Sequence, residues 1–237
     1  VDLRLNTRVD AAQLAAGGWD DIVLATGILP RLPAIDGIGH AKVLSYLDVL
    51  RDEKPVGADV AVIGAGGIGF DVSEYLVHRG ESASLVPSKF YAEWGIDTGY
   101  ARAGGLAEPV VEPPARRVRL LQRKTSKVGD GLGKTTGWIH RTALKARGVG
   151  MSSGVQYQRI DDAGLHVTVD GQPRTLAVDQ VVICAGQEPR RELLAALQAA
   201  GCRVHLIGGA DVAAELDAKP AIWQGTVLAA GIESAAP

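Results

Sequence analysis

Hydrophobic and polar positions alternate along the chain with two periods, and each change of period marks an expected element. Val1, Leu3 and Leu5 stand against Asp2, Arg4 and Asn6, the period-two pattern of a half-buried strand over residues 1–9. Asp10 is placed to cap a short helical or turn segment ahead of Gly17-Gly18. Ile22-Val23-Leu24 predicts a buried strand ending in Thr26-Gly27, and Pro30 and Pro33 are expected to stop regular structure beyond it. Residues 43–50, with Ser45 as a cap, suit a short helix. Val60-Ala61-Val62-Ile63 is a continuous apolar run, the pattern of a strand buried on both faces. A glycine turn follows, then Phe70, Leu76 and Val77 at helical spacing, with Arg79-Gly80 as the expected helix end.

Periodicity is lost over residues 81–115, where prolines and glycines are interspersed with Tyr91, Trp94 and Tyr100. So long a stretch inside a compact domain predicts a functional insertion with some local helix, its aromatic residues either packed on the domain or in direct contact with a ligand. Residues 118–124 predict the next strand, and a helix from about Thr135 or Thr136, carrying Trp138, Ile139 and Leu144, should end at Gly148. Residues 155–160, 165–169 and 173–178 are short strands joined by turn chemistry, Asp170-Gly171 being the strongest, so an antiparallel meander is expected. Residues 179–186 return to a buried strand. Its end, Ala185-Gly186-Gln187-Glu188-Pro189-Arg190, echoes Ala25-Thr26-Gly27-Ile28-Leu29-Pro30-Arg31. A helix over 192–200 and a strand over 204–207 lead into Gly208-Gly209-Ala210-Asp211. A helix carrying Ala213, Ala214 and Leu216, then one over 222–230, close the chain.

With 237 residues, a net charge of −2 and a pI near 6.2, the chain has no basic excess that calls for nucleic acid. Its 46% hydrophobic content supports a sizeable core, yet no apolar run approaches the ~20 residues that span a bilayer, and no signal peptide is visible. Cys184 and Cys202 lie far apart without a C-x-x-C pairing or a metal-ligating cluster, which points to reduced thiols in a cytoplasmic protein and to no metal site. The chain opens on Val1 and its one methionine is Met151, so it is expected to be part of a longer polypeptide.

The candidate chemistry centres on Gly64, Gly66 and Gly69, which satisfy G-x-G-x-x-G between a strand and a helix. Gly64 permits the tight turn, Gly66 lets the backbone approach a pyrophosphate, and Gly69 lets helix and strand pack closely. The phosphates would sit on the helix N-terminus. The ribose discriminator belongs at the end of the next strand, where the residues are Gln122-Arg123-Lys124-Thr125-Ser126-Lys127 with no carboxylate. A 2′-phosphate would find charge-assisted donors on Arg123 and Lys124, which implies NADP rather than NAD; a solvated basic strand end is the alternative. The Gly-Lys-Thr at residues 133–135 does not make a P-loop, because Gly129 is one place too close. Gly209 and Asp211 suit contact with a ribityl or phosphate group, or Asp211 caps the following helix. His140 and His166 are a helix-face and a strand residue rather than catalysts, and hydride transfer needs no general acid or base from the protein.

Six segments together resemble the C-terminal region of bacterial NADPH-dependent 2,4-dienoyl-CoA reductase, an iron–sulfur flavoprotein of the old yellow enzyme kind. They are residues 25–31, 43–50, Gly-Ala-Gly-Gly-Ile-Gly-Phe-Asp at 64–71, Glu-Trp-Gly-Ile-Asp at 93–97, Leu-Gly-Lys-Thr-Thr-Gly-Trp-Ile-His-Arg at 132–141, and Val-Ile-Cys-Ala-Gly-Gln-Glu-Pro at 182–189. The resemblance implies an α/β fold: a Rossmann-like NAD(P)-binding domain with an antiparallel β-meander, inserted in a partial FAD-binding Rossmann-like domain. The expected division is 1–35 for the partial FAD lobe, 36–190 for the NADP domain and 191–237 for the return to the FAD lobe. By the family's pattern Gly64, Gly66, Gly67 and Gly69 would hold the NADP pyrophosphate, Arg123 and Lys124 the 2′-phosphate, and Ala185 and Gly186 would close that lobe. Thr26, Gly27, Gly209 and Asp211 would line FAD, in a site that this chain leaves incomplete. Hydride would pass from NADPH to FAD, and electrons would continue through a 4Fe-4S cluster to FMN in an N-terminal barrel, the partner region that also binds the dienoyl-CoA of fatty acid β-oxidation. Other implied possibilities are the nucleotide module of a trimethylamine dehydrogenase- or enoate reductase-like enzyme, or a non-catalytic nucleotide-binding module.

Overall fold

A computed structural model describes residues 1–213 and 218–232. In chain order the elements are α1 (Ala11–Ala15), β1 (Ile22–Leu24), β2 (Ile28–Pro30), β3 (Val43–Ser45), α2 (Tyr46–Leu50), β4 (Asp59–Ile63), α3 (Gly67–Val77), α4 (Pro87–Trp94), β5 (Arg117–Leu121) and α5 (Gly137–Ala146). They continue with β6 (Gly150–Ser152), β7 (Gln156–Asp161), β8 (Gly164–Val169), β9 (Gln172–Leu176), β10 (Gln180–Ile183), β11 (Gln187–Pro189), α6 (Leu194–Ala199), β12 (Val204–Leu206) and α7 (Ala218–Ile232). The chain divides into two compact units: Leu32–Gly186, and Val1–Arg31 together with the chain from Gln187 onward.

The larger unit is built on a five-stranded parallel sheet in the order β3-β10-β4-β5-β6. Its central strand β4 is apolar without interruption because both faces are covered. Val60 and Val62 belong to a core with Phe70, Val72 and Leu76 of α3 and Leu144 of α5. Ala61 and Ile63 belong to a second core with Leu165 and Val167 of the antiparallel sheet β7-β8-β9. Successive residues of one strand thus feed opposite cores, which is the period of two acting in three dimensions. This is a Rossmann-like α/β fold with a parallel sheet and an added antiparallel meander.

The smaller unit has two two-stranded sheets among the described residues, β1 with β12 in parallel and β2 with β11 antiparallel. Ile22, Leu24 and Leu197 form its buried core. Asp10 caps α1 in a reciprocal capping box with Gln13. The echo between residues 25–31 and 185–190 has a structural meaning, since β2 and β11 are the two strands of one ribbon, with Gln187 opposite Pro30 and Pro189 opposite Ile28.

Several expectations are corrected. Residues 1–9 form no strand and are exposed; alternation alone makes no strand where no neighbour supplies a ladder. Residues 28–30 are a strand despite Pro30, because each strand of a two-stranded ribbon pairs on one edge and the missing proline N–H need not be used. Residues 43–50 are two elements, since pairing with β10 draws Val43–Ser45 into the sheet before the helix begins. The edge strand β6 carried no sequence signal, being three residues that start with glycine. In α5 only Gly137 and Leu144 are buried, and Trp138 is 53% exposed. The expected helix through Ala213, Ala214 and Leu216 falls partly outside the described residues.

Ser45 holds the start of α2 through a capping box: Asp48 N–H donates to its hydroxyl at 3.1 Å, and the Asp48 carboxylate accepts from the Ser45 N–H at 2.7 Å and its hydroxyl at 2.6 Å. Lys54 pairs with the same carboxylate. The Lys54 ammonium and then the Ser45 hydroxyl stabilise the ionised form, lowering the Asp48 carboxyl from an ordinary 3.8 to about 2. A carboxyl depressed in the folded state contributes stability that is present above its unfolded value and is lost as pH falls through its folded value. Between pH 4 and pH 2 the unfolding midpoint in urea should therefore fall, and Asp48→Asn should flatten that part of the profile while lowering stability at pH 7. A variant whose acid slope matches the parent would show that this box does not couple to folding.

Candidate dinucleotide site

Three strand ends meet at the carboxyl edge of the parallel sheet. Beyond β4 the Gly64 N–H donates to the Leu121 carbonyl at the end of β5, at 2.9 Å, while the Cys184 N–H beyond β10 donates to the Ile63 carbonyl at 2.7 Å. The glycine turn, the basic segment at 122–127 and the Ala185-Gly186 segment, distant in sequence, are thus adjoining parts of one edge. This is the edge at which open α/β sheets bind their ligands.

The glycines of the turn divide by what surrounds them. Gly64 has φ +108°, and a Cβ there would lie 2.3 Å from the Cys184 carbonyl oxygen; one at Gly69 would lie 1.8 Å from the Gly64 carbonyl oxygen. Those two are required by the fold itself. At Gly66 and Gly67 a Cβ would meet nothing within 4 Å, so the start of α3 faces open space. Gly66 is the N-cap and provides no side-chain cap, leaving the first-turn N–H groups of this 11-residue helix for an anion. An open cradle in front of an uncapped helix N-terminus fits a pyrophosphate.

At the end of β5, Arg123, Lys124 and Lys127 are all exposed, and among the described residues none of them pairs with a carboxylate. The backbone beneath them is fixed. Gln122 N–H donates to Ser152 O at 2.8 Å, Val155 N–H to Gln122 O at 3.0 Å, and Gly154 N–H to Lys124 O at 2.9 Å.

Several other groups have structural partners. His140 lies 3.6 Å from Glu74, and His166 sits between Asp161 at 2.8 Å and the Thr175 hydroxyl at 3.1 Å. Cys184 is a free, buried thiol that burial pushes up to about 12, far from a reactive thiolate. The insertion contains a short 3-10 turn, α4 and a second such turn. In its Glu-Trp-Gly-Ile-Asp segment Glu93 pairs with Arg147 at 2.8 Å, Trp94 meets Trp138 edge to face at 6.4 Å, and Gly95 ends α4 at φ +62°. The insertion, α3 and α5 enclose a cleft of about 680 Å³ lined in part by Phe90, Tyr91 and Trp94; none of the glycine-turn or basic-segment residues borders it.

In the smaller unit the Thr26 hydroxyl donates to Arg190 O, and Arg190 N–H donates to Gly27 O at 3.0 Å. Gly27 has φ +78° and open space at its Cβ position, whereas Gly209 is closed in by Ile28 at 2.7 Å. Gln224 bridges this segment, accepting from Gly208 N–H at 2.7 Å and donating to the Asp211 carboxylate at 2.9 Å. No motif in the sequence marks Gln224, and only its contacts reveal it. Among the described residues this unit has no glycine turn between strand and helix like that of Gly64 to Gly69, so its residues do not by themselves fit a flavin pyrophosphate.

Residues 3–230 match the family described as pyridine nucleotide-disulphide oxidoreductase. The chain belongs to that family. It is a module of the FAD/NAD(P)-binding oxidoreductase class. Among relatives of this pyridine nucleotide-disulphide oxidoreductase module, a cinnamate reductase from Clostridium sporogenes is 35% identical over 86 residues, 36% of this chain and 13% of that protein. A mercuric reductase from Lysinibacillus sphaericus is 24% identical over 197 residues, 81% of this chain and 29% of that protein. The fold is shared with a 2-naphthoyl-CoA reductase (TM-score 0.72, 22% identity, 95% of this chain and 29% of that one). It is also shared with a 6-hydroxypseudooxynicotine amine oxidase from Pseudomonas geniculata (TM-score 0.70, 19% identity, 93% and 30%). The chain spans less than a third of the length of each of these proteins. Among the described residues no helix is long and apolar enough to cross a membrane.

The two kinds of glycine predict opposite behaviour. Gly69→Ala should lower unfolding free energy by about 2 kcal/mol or more, since backbone must move to admit the Cβ. Gly67→Ala should leave stability within about 1 kcal/mol, alanine being the better helix residue. It should nevertheless weaken dinucleotide binding about tenfold by occupying the cradle. Urea unfolding and fluorescence titration with NADPH check the pair, and full affinity in Gly67→Ala would remove the phosphates from this turn.

Proposed function

We propose that this chain is the NADPH-binding portion of a 2,4-dienoyl-CoA reductase, acting within a longer flavoprotein in which FAD receives the hydride. The observation that carries the nucleotide assignment is the hydrogen bond joining the glycine turn to the end of β5, the strand that leads into Arg123 and Lys124. In support, the glycine turn and two cations with no carboxylate partner among the described residues adjoin on one sheet edge, and the segment has no carboxylate to favour an unphosphorylated ribose. A bound nicotinamide supplies hydride chemistry; the residues of this chain hold the phosphates and orient the ring.

The dienoyl-CoA assignment rests on the six sequence segments. Its support in the fold is that the two most specific of them, residues 93–97 and 132–141, touch through Trp94 and Trp138, so the insertion and the first turn of α5 form one structural feature. The partial match to a cinnamate reductase, named for an unsaturated carboxylate, is in keeping with reduction of a conjugated acyl group.

Titration with NADPH and NADH tests the reading. NADPH should bind more tightly, and Arg123→Ala should weaken NADPH about tenfold or more while leaving NADH nearly unchanged. Equal affinities in the parent, or equal losses in the variant, would overturn the cofactor assignment. In the longer protein, absence of NADPH-dependent reduction of a 2,4-dienoyl-CoA would overturn the substrate assignment.

A further inference from the structure

Gln122 is the first residue beyond β5, and Gly64, one residue beyond β4, is its neighbour across the ladder. That is the position where an acidic side chain accepts the ribose hydroxyls in NAD-specific sites. The Gln122 side chain does something different. Its Nε2 donates to the Lys124 carbonyl at 3.1 Å and to the Ser126 carbonyl at 2.8 Å, with the Ser126 hydroxyl at 3.4 Å. Carbonyl oxygens only accept, so the amide must present its NH₂ side to them. The Lys124 carbonyl receives a second bond from Gly154 N–H at 2.9 Å. The segment carrying Arg123, Lys124 and Lys127 is therefore folded around the Gln122 amide, and its backbone carbonyls point inward at that amide.

We propose that Gln122 sets the preference for a 2′-phosphorylated nucleotide, by folding its donor under the basic segment and so holding the cations toward the ribose. The proposal rests on the assignment of NADPH to this edge. Gln122 is a positioning residue: it acts through Arg123 and Lys124. One physical consequence follows from its donor being turned inward. The cations are carried on a tied loop, so less side-chain and backbone freedom is lost when a phosphate binds.

Two substitutions test this role. Gln122→Met keeps the length and removes the donor, so the loop is released and no acceptor is gained. Gln122→Glu puts a carboxylate against two carbonyl oxygens, where it is repelled, and swings an acceptor toward the ribose. Dissociation constants for NADPH and NADH are measured by fluorescence titration on the whole protein, with thermal unfolding to confirm that each variant is folded. The expected result for Gln122→Met is NADPH about tenfold weaker with NADH unchanged. For Gln122→Glu it is a similar NADPH loss with NADH several-fold tighter, so that the ratio of the two constants moves by about thirtyfold or more. Retention of the parent ratio in both variants, whether affinities hold or fall together, would overturn the proposal. Arg123→Ala with Lys124→Ala is the companion measurement. If it abolishes NADPH preference while the Gln122 variants keep theirs, the positioning role fails and the NADPH assignment stands. If it leaves the preference intact, the assignment itself fails and the proposal with it.

Discussion

The hydrogen bond from the Gly64 N–H to the Leu121 carbonyl is both the last rung of the β4–β5 ladder and the start of the glycine turn. Its position is possible only because β4 is held from both sides. Val60 and Val62 are buried with the helices, Ala61 and Ile63 with the meander, and β10 and β5 fill the two edges of the strand. A strand so enclosed cannot shift register by one residue without exchanging the two sets. The site geometry is therefore inherited from core packing, and within the glycine turn Gly64 and Gly69 are the positions where backbone passes too close to backbone for any Cβ.

Segments outside the core are added to that scaffold. The segment 122–127 has no apolar anchor of its own, and it is shaped instead by bonds from Gln122, Gly154 and Val155. Such a segment can change its charge without disturbing the sheet, which is why one α/β framework serves different nucleotides. The insertion is the other addition. Glu93 with Arg147 and Trp94 with Trp138 fasten it to the two ends of α5, so its length is accommodated beside the helical layer and away from the glycine turn.

The smaller unit follows a different logic. Its strands are three residues long and its buried core is small, with Ile22, Leu24 and Leu197 at the centre. Gln224 ties Gly208 and Asp211 together, a polar brace in place of extensive apolar packing. That Asp211 is already occupied by Gln224 bears on its choice between capping and ligand contact: its carboxylate accepts from an amide of α7.

What the sequence by itself determined was the run Val60 to Ile63, the three spaced glycines after it, the meander with its Asp170-Gly171 turn, and the absence of a carboxylate at residues 122–127. These are local signals, set by side-chain period, by the backbone freedom of glycine and by charge, and each is complete within about ten residues. Only the tertiary structure decided whether a weak segment becomes a strand, because a ladder needs a neighbour. Residues 28–30 and 43–45 acquired partners and joined sheets, while residues 1–9, with the clearer alternation, acquired none. It also decided what Gln122 does, since an amide at a strand end has no direction until the loop beyond it has folded.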